Sequence, residues 1–164
     1  MRIMGIDPGT AITGFSIIDS TKGKISLLDY GCIRTHSSLP QSERLKQISE
    51  DLTILIKKWE PSMASVEKLF FQKNIKTAMK VAEARGIVLG KLAQTNIEIG
   101  EYTPLEIKSA ICGYGKADKK MVQQMVKAIL GLQKIPKPDD AADAIAAAIC
   151  MANSHSLKER IKRN

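Results

Sequence analysis

The chain has 164 residues, with 25 Lys or Arg against 17 Asp or Glu and a net charge of +8. That length fits one domain with a real core, and the positive excess favours a polyanionic partner, nucleic acid or an acidic membrane surface. No apolar run is long enough to span a membrane, and the N-terminus enters a strand without the pattern of a signal peptide. Cys32, Cys112 and Cys150 form no Cys-x-x-Cys pair, so they read as buried thiols in a reducing cytoplasm, not as a disulfide frame or zinc site.

Arg2-Ile3-Met4-Gly5-Ile6 is short, apolar and β-branched, the pattern of a buried strand. Asp7-Pro8-Gly9-Thr10 ends it as a turn in which Pro fixes φ and Gly permits a positive φ. Ile12 to Ile18 returns as a second strand. Thr21 to Lys24 turns again, and Ile25 to Thr35 makes a third strand, bent at Gly31. Three strands with short links predict an antiparallel meander. Asp7 thus ends a central strand. It either caps its own turn or joins other carboxylates, because a buried charge is costly unless paired or metal-bound. Ser42 is placed to cap a helix whose Leu45, Ile48, Leu52, Leu55 and Ile56 share one face, and Trp59-Glu60-Pro61 stops it.

Met63 to Val66 is a fourth strand, followed by Glu67. Helix then strand after a meander makes this an α/β chain with a mixed sheet. A crossover of the usual hand places the fourth strand beside the first, and so Glu67 beside Asp7. Asn74 to Thr95 is the longest helix, with small residues Ala78, Ala82, Gly86 and Gly90 in a drifting stripe and bulky Met79, Val81, Val88, Leu89 and Leu92 on other faces. The stripe is either a second contact, such as a homodimer interface, or part of a helix buried all round. Ile97 to Thr103 is a fifth strand. Pro104 opens a short helix, with Ile107 and Ile111, that runs to Gly113. Gly113-Tyr114-Gly115 links it to a helix reaching Leu130, with Asp118 as N-cap and Met121, Val122, Met125, Val126 and Ile129 facing inward. The lysines here, Lys108, Lys116, Lys119 and Lys120, are a solvated face or a phosphate contact. Gln133 to Pro138 is a stiff loop.

The last helix runs from Asp139 to Asn153. Asp143 shares a helix face with Asp140, three residues before it, and with Asp139, four before it. One of them is an ordinary cap, but Asp143 lies past the cap among alanines and needs a partner. Residues 1–155 read as one domain, and 156–164 as a basic tail that frays and tracks phosphates. Asp7, Glu67 and two of the three aspartates therefore have reasons to converge. Clustered oxygen ligands suit Mg²⁺ or Mn²⁺, which in pairs promote phosphodiester hydrolysis. His36 and His155 are isolated, and no serine or cysteine nucleophile has a supporting pattern.

Gly5-Ile6-Asp7-Pro8-Gly9, Thr13-Gly14, Gly31 to Thr35, Val66-Glu67-Lys68-Leu69-Phe70, Ala84-Arg85-Gly86 and Asp140-Ala141-Ala142-Asp143-Ala144 occur in that order across nearly the whole chain. In this combination the chain resembles the bacterial RuvC Holliday-junction resolvases. The resemblance implies a ribonuclease-H-like fold with a five-stranded mixed sheet flanked by helices. It also implies a homodimer that nicks four-way DNA junctions symmetrically with Mg²⁺, beside the branch-migration proteins RuvA and RuvB. By position, Asp7, Glu67, Asp140 and Asp143 match the family's metal-binding acids. Asp139 competes with Asp140 for the third place, and the Asp-Ala-Ala-Asp spacing favours Asp140. Phe70 matches an aromatic near the junction centre, where stacking on an opened base is sensible. Lys108 and Lys119 match basic residues near the scissile phosphate, and Lys68 and Lys73 add charge beside the Phe70 loop. Three other readings compete. Asp7-Pro8-Gly9-Thr10 also resembles the first phosphate loop of actin-like ATPases, but a second such loop is lacking. A ribonuclease on RNA–DNA hybrids shares the acids. A binding module without cleavage would gain nothing from clustered negative charge beside DNA.

Overall fold

A computed structural model of the chain describes residues 1–68 and 75–162. Ile3, Met4 and Ile6 are fully buried, which puts β1 (Arg2–Asp7) at the centre of a sheet of order β3-β2-β1-β4-β5. β2 (Ile12–Thr21) pairs antiparallel with β1, and β3 (Lys24–Arg34) antiparallel with β2. β4 (Met63–Glu67) runs parallel to β1 and β5 (Glu98–Tyr102) parallel to β4, the expected five-stranded mixed sheet. Ile6 lies opposite Val66, so Asp7 and Glu67 follow at the same end of neighbouring strands.

Helices α1 (Gln41–Trp59) and α2 (Ile75–Ala93) cover one face. Ile48, Leu52, Val88 and Leu92 pack there on Met4, Ile6, Ile17 and Val66. The other face carries α3 (Pro104–Cys112), α4 (Lys119–Ile129) and α5 (Asp139–Lys162), whose alanines and Ile145 and Ile149 pack on Ile3, Ile18 and Met63. α3 starts in a capping box: Thr103 Oγ1 accepts from the Glu106 amide and the Glu106 carboxylate accepts from the Thr103 amide. At α4, Asp118 Oδ1 accepts from the Met121 amide at 2.7 Å, the predicted N-cap. Among the described residues no helix is long and apolar enough to cross a membrane.

A trough of small residues seats α5. Ser16, Gly5, Ser65 and Gly100 lie side by side across β2, β1, β4 and β5. A Cβ on Gly5 would stand 2.0 Å from the Ala144 carbonyl oxygen, and one on Gly100 2.4 Å from Met151 Sδ. Two pairs further on, a Cβ on Gly14 would stand 2.0 Å from the Asp140 carbonyl oxygen. Ser16 Oγ donates to the Ala144 carbonyl at 2.9 Å. The alanine-rich helix therefore lies directly on the strands, and its acidic start arrives at the strand ends that carry Asp7 and Glu67.

The structure corrects several sequence expectations. Gly9 does not adopt a positive φ; a side chain there would collide with the Ile12 carbonyl oxygen at 2.3 Å. β3 is not bent at Gly31, which leaves room for the Phe15 ring; the register slips at Leu28 instead. Ser42 does not cap α1, whose N-cap is Pro40 with no side-chain hydrogen bond. On α4 only Val122 and Val126 of the five predicted apolar residues are buried, whereas Met121, Met125 and Ile129 remain more than a third exposed. The helix rests on α3 and α5 over a narrower strip than its composition suggests. Residues 156–162 are helical, because α5 continues through Lys162. Cys32, Cys112 and Cys150 are free thiols, but only Cys150 is buried, while Cys32 and Cys112 are half-buried. The α2 stripe is not buried all round. Ala82, Gly86 and Gly90 are exposed, and a Cβ on either glycine would meet nothing within 4 Å.

Candidate active site

β1 and β4 deliver Asp7 and Glu67 because both strands end at the same level, and the turn after Asp7 is pinned by its own chain. Thr13 Oγ1 donates to the Gly9 carbonyl at 2.6 Å, and the Gly9 amide points back at the same hydroxyl. α5 brings Asp143 from above. Asp7, Glu67 and Asp143 line a cavity of about 240 Å³, with Lys108 from α3 and Lys119 from α4 on the opposite wall and Ile107, Val122 and Ala146 as its apolar floor.

The electrostatics are those of crowded, half-buried acids. Burial, followed by repulsion from Glu67, Asp143 and Asp140, pushes the Asp7 carboxyl up to about 8 from an ordinary 3.8. Burial and then Asp143 push Glu67 up to about 7, against the pull of Lys119 and Lys108. Burial also raises Asp143, although Lys119 Nζ donates to its Oδ2 at 3.0 Å. For Lys119 itself burial works downward, but its hydrogen bond to Asp143 and the nearby acids outweigh it, and its ammonium is held above its usual range.

Asp139 is separate from this group. Its Oδ1 accepts from Lys137 Nζ at 2.7 Å and from Gln123 Nε2 at 3.1 Å, its Oδ2 lies 3.6 Å from Lys119, and the Lys137 contact lowers its pKa. Asp140, not Asp139, is among the charges that act on Asp7. Asp140 also lines a second cavity on the other side of the β1–β2 turn. Among the described residues no three His, Cys, Asp or Glu side chains stand close enough to cage an ion as they are turned here; Asp143 is directed at Lys119. Lys68 is exposed just past β4, its amide donating to the Tyr102 carbonyl at 2.8 Å. Phe70 and Lys73 lie outside the described residues.

With this geometry in view, comparison with known proteins is decisive. A profile of the crossover junction endodeoxyribonuclease RuvC matches residues 3–151. The chain belongs to the RuvC family. It is 49% identical over 160 residues to the crossover junction endodeoxyribonuclease RuvC of Halothermothrix orenii, covering 98% of this chain and 97% of that one. The Thermus thermophilus RuvC structure superposes with a TM-score of 0.89 at 32% identity, covering 96% of this chain and 97% of that one. T. thermophilus RuvC in complex with a Holliday junction substrate gives 0.91 at 31% identity and 96% coverage of both. The fold is therefore ribonuclease-H-like, as the motifs implied.

Two residues that support this RuvC-family site were not singled out from sequence. Arg85 on α2 donates from Nε to the Glu67 carbonyl at 3.3 Å and from Nη2 to the Glu101 carboxylate, so it ties the end of β4 to β5. Gly14 admits the start of α5. Both occurred in the matched motifs, but only the contacts across the fold reveal what they do.

Proposed function

We propose that the protein resolves four-way DNA junctions by hydrolysing one phosphodiester in each of two symmetric strands, with Mg²⁺ as cofactor and Mn²⁺ able to replace it. What supports this reading is the cavity lined by Asp7, Glu67 and Asp143 together with Lys108 and Lys119, with Asp140 close enough to act on Asp7. Burial and repulsion from neighbouring acids hold Asp7 and Glu67 up to about 8 and about 7, and a bound cation would relieve both. The donor set is entirely hard oxygen, which fits one or two small divalent cations. When bound, such ions supply Lewis acidity and lower the pKa of water for in-line attack.

The chain's own groups do the rest. Asp7 and Glu67, on the ends of rigid strands, fix where the ligand oxygens stand. Asp143 and Asp140 complete the set from α5. Lys119 is held ready by Asp143, and a phosphate entering the cavity is the natural competitor for its ammonium. Lys108 approaches from the α3 side. Ile107 and Val122 form a dry floor that strengthens these charge interactions. Lys68 lies at the edge, where with Phe70 and Lys73 it is assigned to the junction strands, Phe70 by stacking. Residues 1–155 form the nuclease domain, and the helical residues 156–162, with Lys158, Arg160 and Lys162, extend a basic surface. The setting is the bacterial cytoplasm, with RuvA and RuvB as branch-migration partners.

A labelled four-way junction, a linear duplex and an RNA–DNA hybrid, each with Mg²⁺, test the function. Paired symmetric nicks in the junction alone support it. Hybrid cleavage points to a ribonuclease, and binding without any cut to a recognition module.

The reading includes a homodimer, supported by the face of α2. Met79 is 63% exposed beside Ala82, Gly86 and Gly90, with open space above both glycines. Gly86→Glu should leave the monomer fold intact or firmer, since glycine inside a helix costs about 1 kcal/mol. It should nonetheless abolish dimers in sedimentation equilibrium and paired nicking with them. A dimer as tight as wild type would remove this face from the interface.

A further inference from the structure

On the far side of the β1–β2 turn from the acidic cavity lies a second cavity of about 340 Å³, bounded by the turn residues Gly9 and Thr10, by Arg44 of α1, by Lys80 of α2 and by Asp140. Arg44 is only 9% exposed, yet it forms no ion pair with any carboxylate of the described residues. Its single hydrogen bond there is from Nε to Thr35 Oγ1 at 2.8 Å. Arg44 nonetheless lines the cavity. A buried guanidinium without a counter-ion is expensive, and it is the group best shaped to grip a phosphate through two parallel N–H bonds.

The surroundings fix this group in place. Thr35 Oγ1, which accepts from Arg44, donates to the Thr10 carbonyl at 2.6 Å. Thr10 Oγ1 donates in turn to the Lys80 carbonyl at 2.6 Å. Turn, β3, α1 and α2 are thereby joined, and the guanidinium is oriented before any ligand arrives. The charges also match. Arg44 and Lys80 against Asp140 leave one net positive charge, which one phosphodiester neutralises.

We infer that Arg44 and Lys80 form a phosphate subsite that grips one backbone phosphate of the strand being cut, in a cavity that Asp140 lines beside the acidic site. Arg44 is thus a positioning residue: it sets the register of the strand and takes no part in bond breaking. The inference rests on the reading of the protein as a junction nuclease.

The test uses the full chain, in EDTA to prevent cleavage. Its substrates are four-way junctions and linear duplexes, each carrying one neutral methylphosphonate in place of one backbone phosphate. For wild type, one position near the cut should weaken binding about tenfold, as losing a charge-assisted contact does. Arg44→Gln and Lys80→Gln should bind the unmodified junction that much more weakly and lose nothing further at that position, while remaining sensitive elsewhere. Variants as sensitive as wild type at every position, or as tight on the unmodified junction, would overturn the subsite. If Arg44→Gln fails to fold by circular dichroism, Lys80→Gln, an exposed side chain, decides alone by the same two criteria. A wild type that prefers junctions no more than duplex would count against the junction reading only; the same phosphate-specific loss on duplex would still support the subsite.

Discussion

Asp7→Asn should silence cleavage and, at the same time, make the metal-free protein more stable at pH 8. The two effects share one cause. Asp7 is buried among Glu67, Asp143 and Asp140, which raise its pKa to about 8. Between pH 4 and 8 the folded protein therefore holds a proton that the unfolded chain has released. Stability is fully present below the ordinary carboxylate pKa and is lost as pH rises through about 8. Glu67, raised to about 7, adds to the same slope. Asparagine carries no charge at any of these pH values, so the variant's pH dependence should be shallower. Its gain over wild type at pH 8 should be on the order of a few kcal/mol. Cleavage should fall by at least about 10³-fold, the scale on which a directly acting electrostatic group is felt. Junction affinity should be largely retained, because a carboxylate beside phosphates does not drive binding. Thermal melts from pH 5 to 8.5 in EDTA, single-turnover cleavage in Mg²⁺ and junction binding check the three parts. Binding lost in step with cleavage, or a pH slope unchanged by the substitution, would contradict the assignment.

Gly14→Ala should be nearly as damaging, although it adds only a methyl group. That methyl would stand 2.0 Å from the Asp140 carbonyl oxygen, a backbone atom that cannot rotate away. α5 or β2 must yield. Overpacking against a rigid partner costs about 3 kcal/mol, which in a domain of this size lowers Tm by roughly 6–12 °C. The larger effect falls on the chemistry. The start of α5 is what moves, and it carries Asp140 and Asp143. A displacement near 1 Å costs about 10²-fold in rate. Differential scanning calorimetry and cleavage below the lowered Tm test this. Normal cleavage by folded Gly14→Ala would mean that the seat does not position the acids.

The parts of the fold that depend on local pattern were readable from the chain. The meander, the Asp118 cap, the Pro104 start and the β4 crossover follow from turn chemistry and handedness, and the crossover alone was enough to place Glu67 beside Asp7. Features that depend on what lies opposite were not. An arginine on a helix face reads as exposed, and only the Thr35 hydroxyl across from it shows that Arg44 is buried. Gly5, Gly14 and Gly100 look like ordinary strand glycines until α5 is laid over them. Met121, Met125 and Ile129 fit an apolar stripe, but α4 has partners for only half its width. At the site, the Asp-Ala-Ala-Asp spacing favoured Asp140 over Asp139, and the lysine and glutamine that hold Asp139 aside lie elsewhere in the chain.

The central claim is that Asp7, Glu67, Asp140 and Asp143 together hold the divalent cations of a junction nuclease. Anomalous diffraction from crystals grown with Mn²⁺ tests it most directly. The expected result is a peak at the strand ends within bonding distance of Asp7 and at least two of the other three acids, with Lys119 displaced from Asp143. A map empty there at saturating Mn²⁺, with Lys119 still hydrogen-bonded to Asp143, would contradict it.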